Sequence, residues 1–472
     1  MSNKSSIKND LMDPDQKYNK TSMSVFSHWK SGKDFLLAQA QVLVVLTIAY
    51  VGNNWPNSYP RNDNENPMMF WVMNGVLLVA GLCTLHHDKN GSARGVQLLS
   101  RGQTEEWKGW MQWAFIMYHY YRVYAVYNEI RVFVSAYVWM TGFGNFLYFD
   151  KKKDFSLERG VSMWIRINYF PLLLSTFINV PMELYYVVPL HTAGFFVTMA
   201  TCYVSTLLPA SWTSTKRNLG AIFICLLVHI GFYETPAVNV LKIFGKEYFF
   251  RFQADKYSAW VGILSGFGWF KFKEFMQWCY NVEVQAWQQT CAMWAQRAGG
   301  VLIIYVWWAL FGHIQDKYVY NPVHPYIFWM PVAGWLMLRN SSKYLCEVHA
   351  GAMEFFGRIT LETYVLQFHV FMCNKVQHIP VVIPGAGKEG SLMLKSLNML
   401  LCGAMFVGLA FWARQITVTT QNAITDFVGI LWRGPPGPPN EKEQETKSLV
   451  NDNDVENNEK AQASSNAKTA AV

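Results

Sequence analysis

Charge is scarce in this sequence. Asp, Glu, Lys and Arg make up 15% of the 472 residues, against about 25% in an ordinary soluble chain. Eight stretches carry no charge at all: Phe35 to Pro60, Asn66 to His87, Val132 to Phe149, Leu184 to Thr215, Asn218 to Tyr233, Ala298 to Gln315, Tyr318 to Leu338 and Ser396 to Ala413. One such run could be a buried core helix, but eight leave too little polar surface to wrap a soluble fold. Paired cysteines are missing too. Cys83, Cys202, Cys225, Cys279, Cys291, Cys346, Cys373 and Cys402 stand singly, mostly in apolar runs, which makes them packing residues and leaves no metal site. The absence of a P-loop, a dinucleotide fingerprint and HExxH takes support from ATP hydrolysis and hydride chemistry, and neither Gly-Asp-Ser nor Gly-x-Ser-x-Gly offers a nucleophile. No internal repeat is evident.

What is present is apolar: 51% of residues are hydrophobic and 16% aromatic. A helix needs about 20 mostly apolar residues to cross the hydrocarbon, so the fold class is all-α, a polytopic transmembrane bundle of about 10–12 spans. The net charge of +8 comes from basic residues clustered beside the spans, as the positive-inside rule requires, and no nucleic acid is implied. The first 34 residues carry Lys4, Lys8, Lys17, Lys20, Lys30 and Lys33 among polar residues. They are neither a signal peptide nor an Arg-rich presequence, so 1–34 reads as a cytosolic segment ahead of an uncleaved anchor. The second loop, with Lys89, Arg94, Arg101 and Lys108, is basic in turn.

Met111 to Phe149 would measure about 58 Å as one helix, nearly twice the hydrocarbon thickness. It must reverse, near Asn128, and return at Lys151, Lys152 and Lys153. Val161 to Val180 and Leu184 to Thr215 form the next pair, closed by Lys216 and Arg217, and a further span starts at Gly220. Glu234 to Lys256 is charged and aromatic and reads as interfacial, with re-entry near Tyr257. Leu302 to His313, Ile327 to Leu338, Gly351 to Phe371 and Leu392 to Trp412 supply four more spans. The membrane domain thus covers 35–432, and 433–472, opening Arg-Gly-Pro-Pro-Gly-Pro-Pro, reads as a disordered cytosolic tail.

Ionisable residues within spans are costly and are functional candidates by default. Glu105, Gln112 and His119 recur every seven residues and line one helical stripe, with His119 deep enough to meet a donor entering from the cytosol as a general base. The competing reading is a packed histidine bonded to a carbonyl. Glu362 and His369, also seven apart, share one face, with Gln367 nearby. His349 lies twenty residues before His369, roughly 30 Å on one helix, so the two cannot serve one site. Arg251 and Asp255, four apart, suit a surface ion pair. Beside Glu129 at the reversal, Arg131 either binds an anionic donor or snorkels to headgroups.

Several runs resemble a known family: Gln103-Thr-Glu-Glu-Trp-Lys-Gly-Trp-Met-Gln112, Met117-Tyr-His-Tyr120, Ile130-Arg-Val132, Tyr137-Val-Trp-Met-Thr-Gly-Phe-Gly-Asn145, Asp255-Lys-Tyr257, His324-Pro-Tyr326, Arg339-Asn340 and Gly357-Arg-Ile-Thr-Leu-Glu-Thr-Tyr-Val-Leu-Gln-Phe-His369. They are similar to the ten-transmembrane acyltransferase domain of fungal capsule-polysaccharide O-acetylation proteins, animal sialic acid O-acetyltransferases and plant reduced-wall-acetylation proteins, from about Leu98 to Phe371. The resemblance implies a Golgi membrane enzyme that takes acetyl from cytosolic acetyl-CoA, a substrate and no resident cofactor, for a glycan or cell-wall polysaccharide hydroxyl in the lumen. His119, Arg131, Arg251, Asp255, Glu362, Gln367 and His369 match its motifs. By inference from these matches, His119 is base or transient acetyl carrier, Arg131 and Arg251 are anion contacts, and Glu362 with His369 is a luminal-side pair.

Fungal and animal members also carry a luminal Ser-His-Asp esterase-like domain. Nothing in this sequence matches it, a layout similar to the plant type, which leaves direct transfer or relay to a separate luminal enzyme. The rival class is a transporter for acetyl-CoA or an acetylated intermediate, which makes no covalent bond. A structural scaffold would not need so many polar groups in the membrane.

Overall fold

A computed structural model describes residues 25–87, 98–280 and 287–433. Lys4, Lys8, Lys17 and Lys20, the loop residues Lys89 and Arg94, and the tail beyond Arg433 lie outside the described residues. The described residues form sixteen α-helices: α1 (Val25–Asn53), α2 (Pro67–Cys83), α3 (Arg101–Tyr121), α4 (Tyr127–Lys152), α5 (Leu157–Ile178), α6 (Val187–Leu207), α7 (Ser214–Tyr233), α8 (Lys246–Ala254), α9 (Ser258–Cys279), α10 (Trp287–Trp307), α11 (Lys317–Ile327), α12 (Trp329–Arg339), α13 (Lys343–Glu347), α14 (Gly351–Arg358), α15 (Thr360–Leu366) and α16 (Leu392–Arg433). One compact unit runs from Ala38 to Gln421. Of the other, Met1–Leu37 with Asn422–Val472, the described residues are the start of α1 and the end of α16.

The helices α1, α4, α5, α6, α7 and α16 are long and apolar enough to cross a membrane, and α2 is a shorter apolar helix. Large apolar side chains stand exposed along them, Trp71, Val76 and Val79 on α2 and Phe223, Leu227 and Val228 on α7 among them. A soluble protein would bury such faces, and lipid accommodates them. The helices α3, α9 and α10 have 21, 22 and 21 residues, long enough to span at 1.5 Å per residue but more polar. Polar side chains turn inward on α3 (Gln103, Gln112) and α10 (Gln289, Gln296), whereas α9 carries Lys271 and Glu274 exposed near its end.

The predicted reversal is real. Arg122 caps α3 in the left-handed conformation (φ 52°), and α4 starts at Tyr127. The start of α3 is fixed by a capping box, Ser100 with Gln103. Gln103 Nε2 also donates to the Cys346 carbonyl (2.7 Å), and the Glu106 carboxylate holds Arg339 (3.0 Å) and the Ala350 amide (2.7 Å). Two short antiparallel ribbons tie distant segments: β1 (Ser58–Pro60) pairs with β4 (His378–Pro380), and β2 (Leu85–His87) with β3 (Val348–Ala350).

The region expected to be interfacial is a 3-10 segment, Pro236–Phe244, followed by α8. Just beyond α7, Glu234 accepts hydrogen bonds from Lys256, Tyr257 and Tyr326, which hold its carboxyl down at about 2. One predicted span is not a single helix. Gly351 to Phe371 breaks between α14 and α15 at Ile359 and ends in a π-helical turn, Gln367–Phe371.

Candidate functional site

Two pairs of glycines set the helix spacing around the site. A Cβ at Gly109 would strike the Met353 carbonyl, and one at Gly357 the Glu105 carbonyl, so α3 and α14 cross backbone against backbone. Gly142 and Gly262 allow α4 and α9 the same approach. With α14 drawn in, α3 turns Glu105, Lys108, Gln112 and Phe115 toward a cavity of about 250 Å³ shared with α4, α5, α6, α15 and α16.

Cations and apolar groups occupy different parts of this cavity. Lys108, Arg166, Arg358 and Arg414 line it, and Arg358 reaches the surface with its side chain 63% exposed. Lys108 pairs with Glu105 (2.6 Å), Arg166 with the buried Glu362 (2.8 Å), and Arg358 with Glu354. Arg414 has neither an ion pair nor a hydrogen bond among the described residues. Farther along α3 the lining becomes Phe115, Val134, Val187, Val188 and Tyr364. Between the two stand Gln112, whose buried Nε2 has no partner among the described residues, Tyr137 and His191.

His119 is not part of the cavity lining. Its ring meets Phe115 (4.6 Å between centroids) and Phe368 (5.9 Å), while Tyr364 meets Phe115 (5.9 Å) and Phe368 (5.6 Å). These four rings close a circuit one layer thick, with the cavity bounded by Phe115 and Tyr364. His119 is half-buried and makes no hydrogen bond among the described residues, so of the packed-histidine reading the aromatic packing is present and the carbonyl bond is not.

Other expected site residues are regrouped. Arg251 and Asp255 do not pair. Arg251 Nε donates to Glu247 (2.7 Å), with its guanidinium 4.1 Å from the Tyr186 ring centre. Asp255 turns inward from the α8–α9 junction to Arg131 (2.7 Å). Both are buried, so Arg131 does not snorkel, and it faces neither the cavity nor a headgroup. Ser135 donates to Asp255 Oδ1 (2.5 Å) and lies 2.7 Å from His324 Nε2. Its one proton goes to the carboxylate, so the ring N–H points at Ser135, and His324 Nδ1 faces the Tyr320 hydroxyl (3.0 Å). Ser135 is thereby a donor to an acid, not a nucleophile activated by a base.

Glu362 and His369 are likewise apart. Glu362 belongs to Arg166 at the cavity, whereas His369 sits between Asn53 Oδ1 (2.9 Å) and the Tyr185 hydroxyl. Asn53 Oδ1 also accepts from the Lys375 amide (3.1 Å), so it receives the Nδ1–H and leaves Nε2 for Tyr185. The π turn is the cause, because its wider winding rotates His369 off the face of Glu362. Gln367 opens that turn, fully buried, donating to the Tyr364 carbonyl.

Sequence reasoning missed Arg166, Arg414 and His191. The signal was available, since each is a lone ionisable residue inside an apolar run, but only the cavity brings them together. Among the described residues no group of three or more metal-ligating side chains occurs.

Residues 3–430 match the profile described as "10 TM Acyl Transferase domain found in Cas1p". Over 350 residues the chain is 28% identical to the N-acetylneuraminate (7)9-O-acetyltransferase of Danio rerio, an alignment covering 69% of this chain and 43% of that relative. The chain thus spans under half the length of the curated relative it matches. No solved structure matches.

Proposed function

Because the chain belongs to the family of the 10 TM Acyl Transferase domain found in Cas1p, we propose that it is a membrane O-acetyltransferase acting in the Golgi. It takes acetyl from acetyl-CoA at the cytosolic face for a glycan hydroxyl in the lumen, directly or by handing acetyl to a separate luminal enzyme. The relative's name, an N-acetylneuraminate O-acetyltransferase, supports a sugar hydroxyl as acceptor.

The observation that carries this reading is the cation-lined cavity that stops at the rings holding His119. Phosphates suit the Lys and Arg side chains at its surface end, and an uncharged arm suits the apolar end. At about 250 Å³ it falls below the usual range for whole drug-sized ligands, so an acyl-pantetheine arm fits and the nucleotide stays outside. At the edge of the ring layer away from the cavity, half-buried and with no hydrogen bond among the described residues, His119 serves as base or transient acetyl carrier for the acceptor.

Purified protein in nanodiscs, given acetyl-labelled acetyl-CoA and a sialylated glycan, tests this. We expect acetyl ester on the glycan, or on an added luminal transferase, and its loss in His119→Ala. Transfer unchanged in that variant removes His119 from the mechanism. Uptake of intact acetyl-CoA into proteoliposomes without acetyl transfer replaces the enzyme with a transporter.

A further inference from the structure

We propose that His191 is the residue that takes the acyl group from the thioester, forming an acyl-histidine within the cavity. This rests on the donor site proposed above and names its nucleophile.

Few groups in the lining can attack a thioester. No cysteine or serine lines the cavity. The Tyr137 hydroxyl donates to the Lys108 carbonyl, and the Thr360 hydroxyl donates to the Gly357 carbonyl (2.6 Å). Lys108 and Glu105 are held in their mutual ion pair (2.6 Å), the Tyr364 hydroxyl donates to the Leu184 carbonyl (3.5 Å), and a guanidinium does not act as a nucleophile. His191 remains. One edge of its ring is tied, Nδ1 to Thr141 Oγ1 at 2.5 Å, and Nε2 has no hydrogen-bond partner among the described residues.

Under this proposal the tautomer is assigned through Thr141, whose hydroxyl has an acceptor in the Tyr137 carbonyl one turn back on α4 (3.4 Å), so that Oγ1 donates there and accepts from His191 Nδ1–H. That places the lone pair on Nε2. Gln112 is buried on α3 in the same lining, with an amide Nε2 that has no partner among the described residues. A buried, unmatched donor is costly, and a thioester oxygen in the cavity supplies its acceptor, where developing negative charge would strengthen the bond.

The step balances without an added reagent. The Nε2 lone pair attacks the thioester carbonyl carbon, a C–N bond forms, and the carbonyl electrons move onto oxygen beside Gln112. When the carbonyl re-forms, the C–S bond breaks and its electron pair leaves on sulfur as a thiolate. The positive charge rests on the acylimidazolium, no proton has to move in the step, and the thiolate departs past Lys108 and Arg358. An acceptor hydroxyl arriving at His119 is separated from this point by the ring layer, so a covalent hold on the acyl group is the chemistry the cavity offers.

The experiment is a peptide map. Full-length protein in nanodiscs is mixed with acetyl-labelled acetyl-CoA, quenched at neutral pH, digested and analysed by mass spectrometry, with and without hydroxylamine. We expect one acetyl group on the peptide carrying His191, removed by hydroxylamine, and no label in His191→Gln, which still binds a thioether analogue of acetyl-CoA as the wild type does. As a positioning residue, Thr141 should show a split: Thr141→Val slows labelling while the KM for acetyl-CoA holds, and Thr141→Ser restores the rate. Label found only at another residue, or unchanged in His191→Gln, overturns the proposal and leaves the donor site standing. Wild-type protein that neither binds the analogue nor becomes labelled overturns both.

Discussion

At Asp255, three polar groups from two helices converge on one carboxylate, with Arg131 and Ser135 from α4 and Ser258 from α9 within reach (2.7, 2.5 and 3.4 Å). Arg131 and Asp255 are 2% and 3% exposed, so neither is solvated if the other is lost. Removing one member of a buried ion pair costs about 3–5 kcal/mol, most of it the uncompensated charge left behind. We expect Asp255→Ala to lower stability by that order in thermal or denaturant unfolding of the detergent-solubilised protein, and a double variant with Arg131→Met to recover part of the loss. Arg251→Ala, which breaks the partly exposed pair with Glu247 and the contact over the Tyr186 ring, should cost less, about 1–2 kcal/mol. A similar loss in the two single variants would refute this division. The sequence led to the opposite pairing because a spacing of four residues reports neighbours along a helix, and nothing local tells that Asp255 lies past the end of α8 with its carboxylate turned toward α4.

On the scale of helices, legibility followed regularity. Charge-free runs located α1, α2, α4, α6 and α7, and a length argument placed the reversal between α3 and α4, since hydrocarbon thickness is a constraint every span obeys. Of the stripe of Glu105, Gln112 and His119, the first two line the cavity because α3 is an uninterrupted helix, while His119 lies beyond Phe115 and outside the lining. The stripe of Glu362 and His369 failed because a π turn adds residues per turn that no heptad count anticipates. Invisible in the same way was the crossing of α3 with α14, which depends on two glycines far apart in sequence. We expect Gly357→Val to push α14 off α3 and weaken binding of a thioether acetyl-CoA analogue at least about tenfold. Gly144→Val on α4, where an added Cβ meets nothing within 4 Å, should leave it unchanged. Equal binding by both variants would mean the crossing does not shape the cavity.

Across the whole molecule the two faces are kept apart by very little. On one side is a cavity with four cations and His191, and it ends at the circuit of Phe115, Tyr364, Phe368 and His119, with Phe115 and Tyr364 at the cavity and His119 at the edge away from it. An acetyl group that crosses must either pass while these rings rearrange or be handed between groups that they separate, whereas a polar nucleotide is blocked in both cases. Shortening the ring nearest both compartments separates these demands. Phe115→Ala removes the contact to His119 at 4.6 Å and one wall of the cavity together, and it leaves space that water can enter from the His119 side. We expect this variant still to consume acetyl-CoA while less of the acetyl reaches glycan, so that free acetate rises as ester falls. Measured as the ratio of acetate to glycan ester, coupling should drop several-fold, with His191 still labelled. If the ratio does not move, the ring layer is packing and not a partition, and the path of the acetyl group has to be sought elsewhere in the bundle.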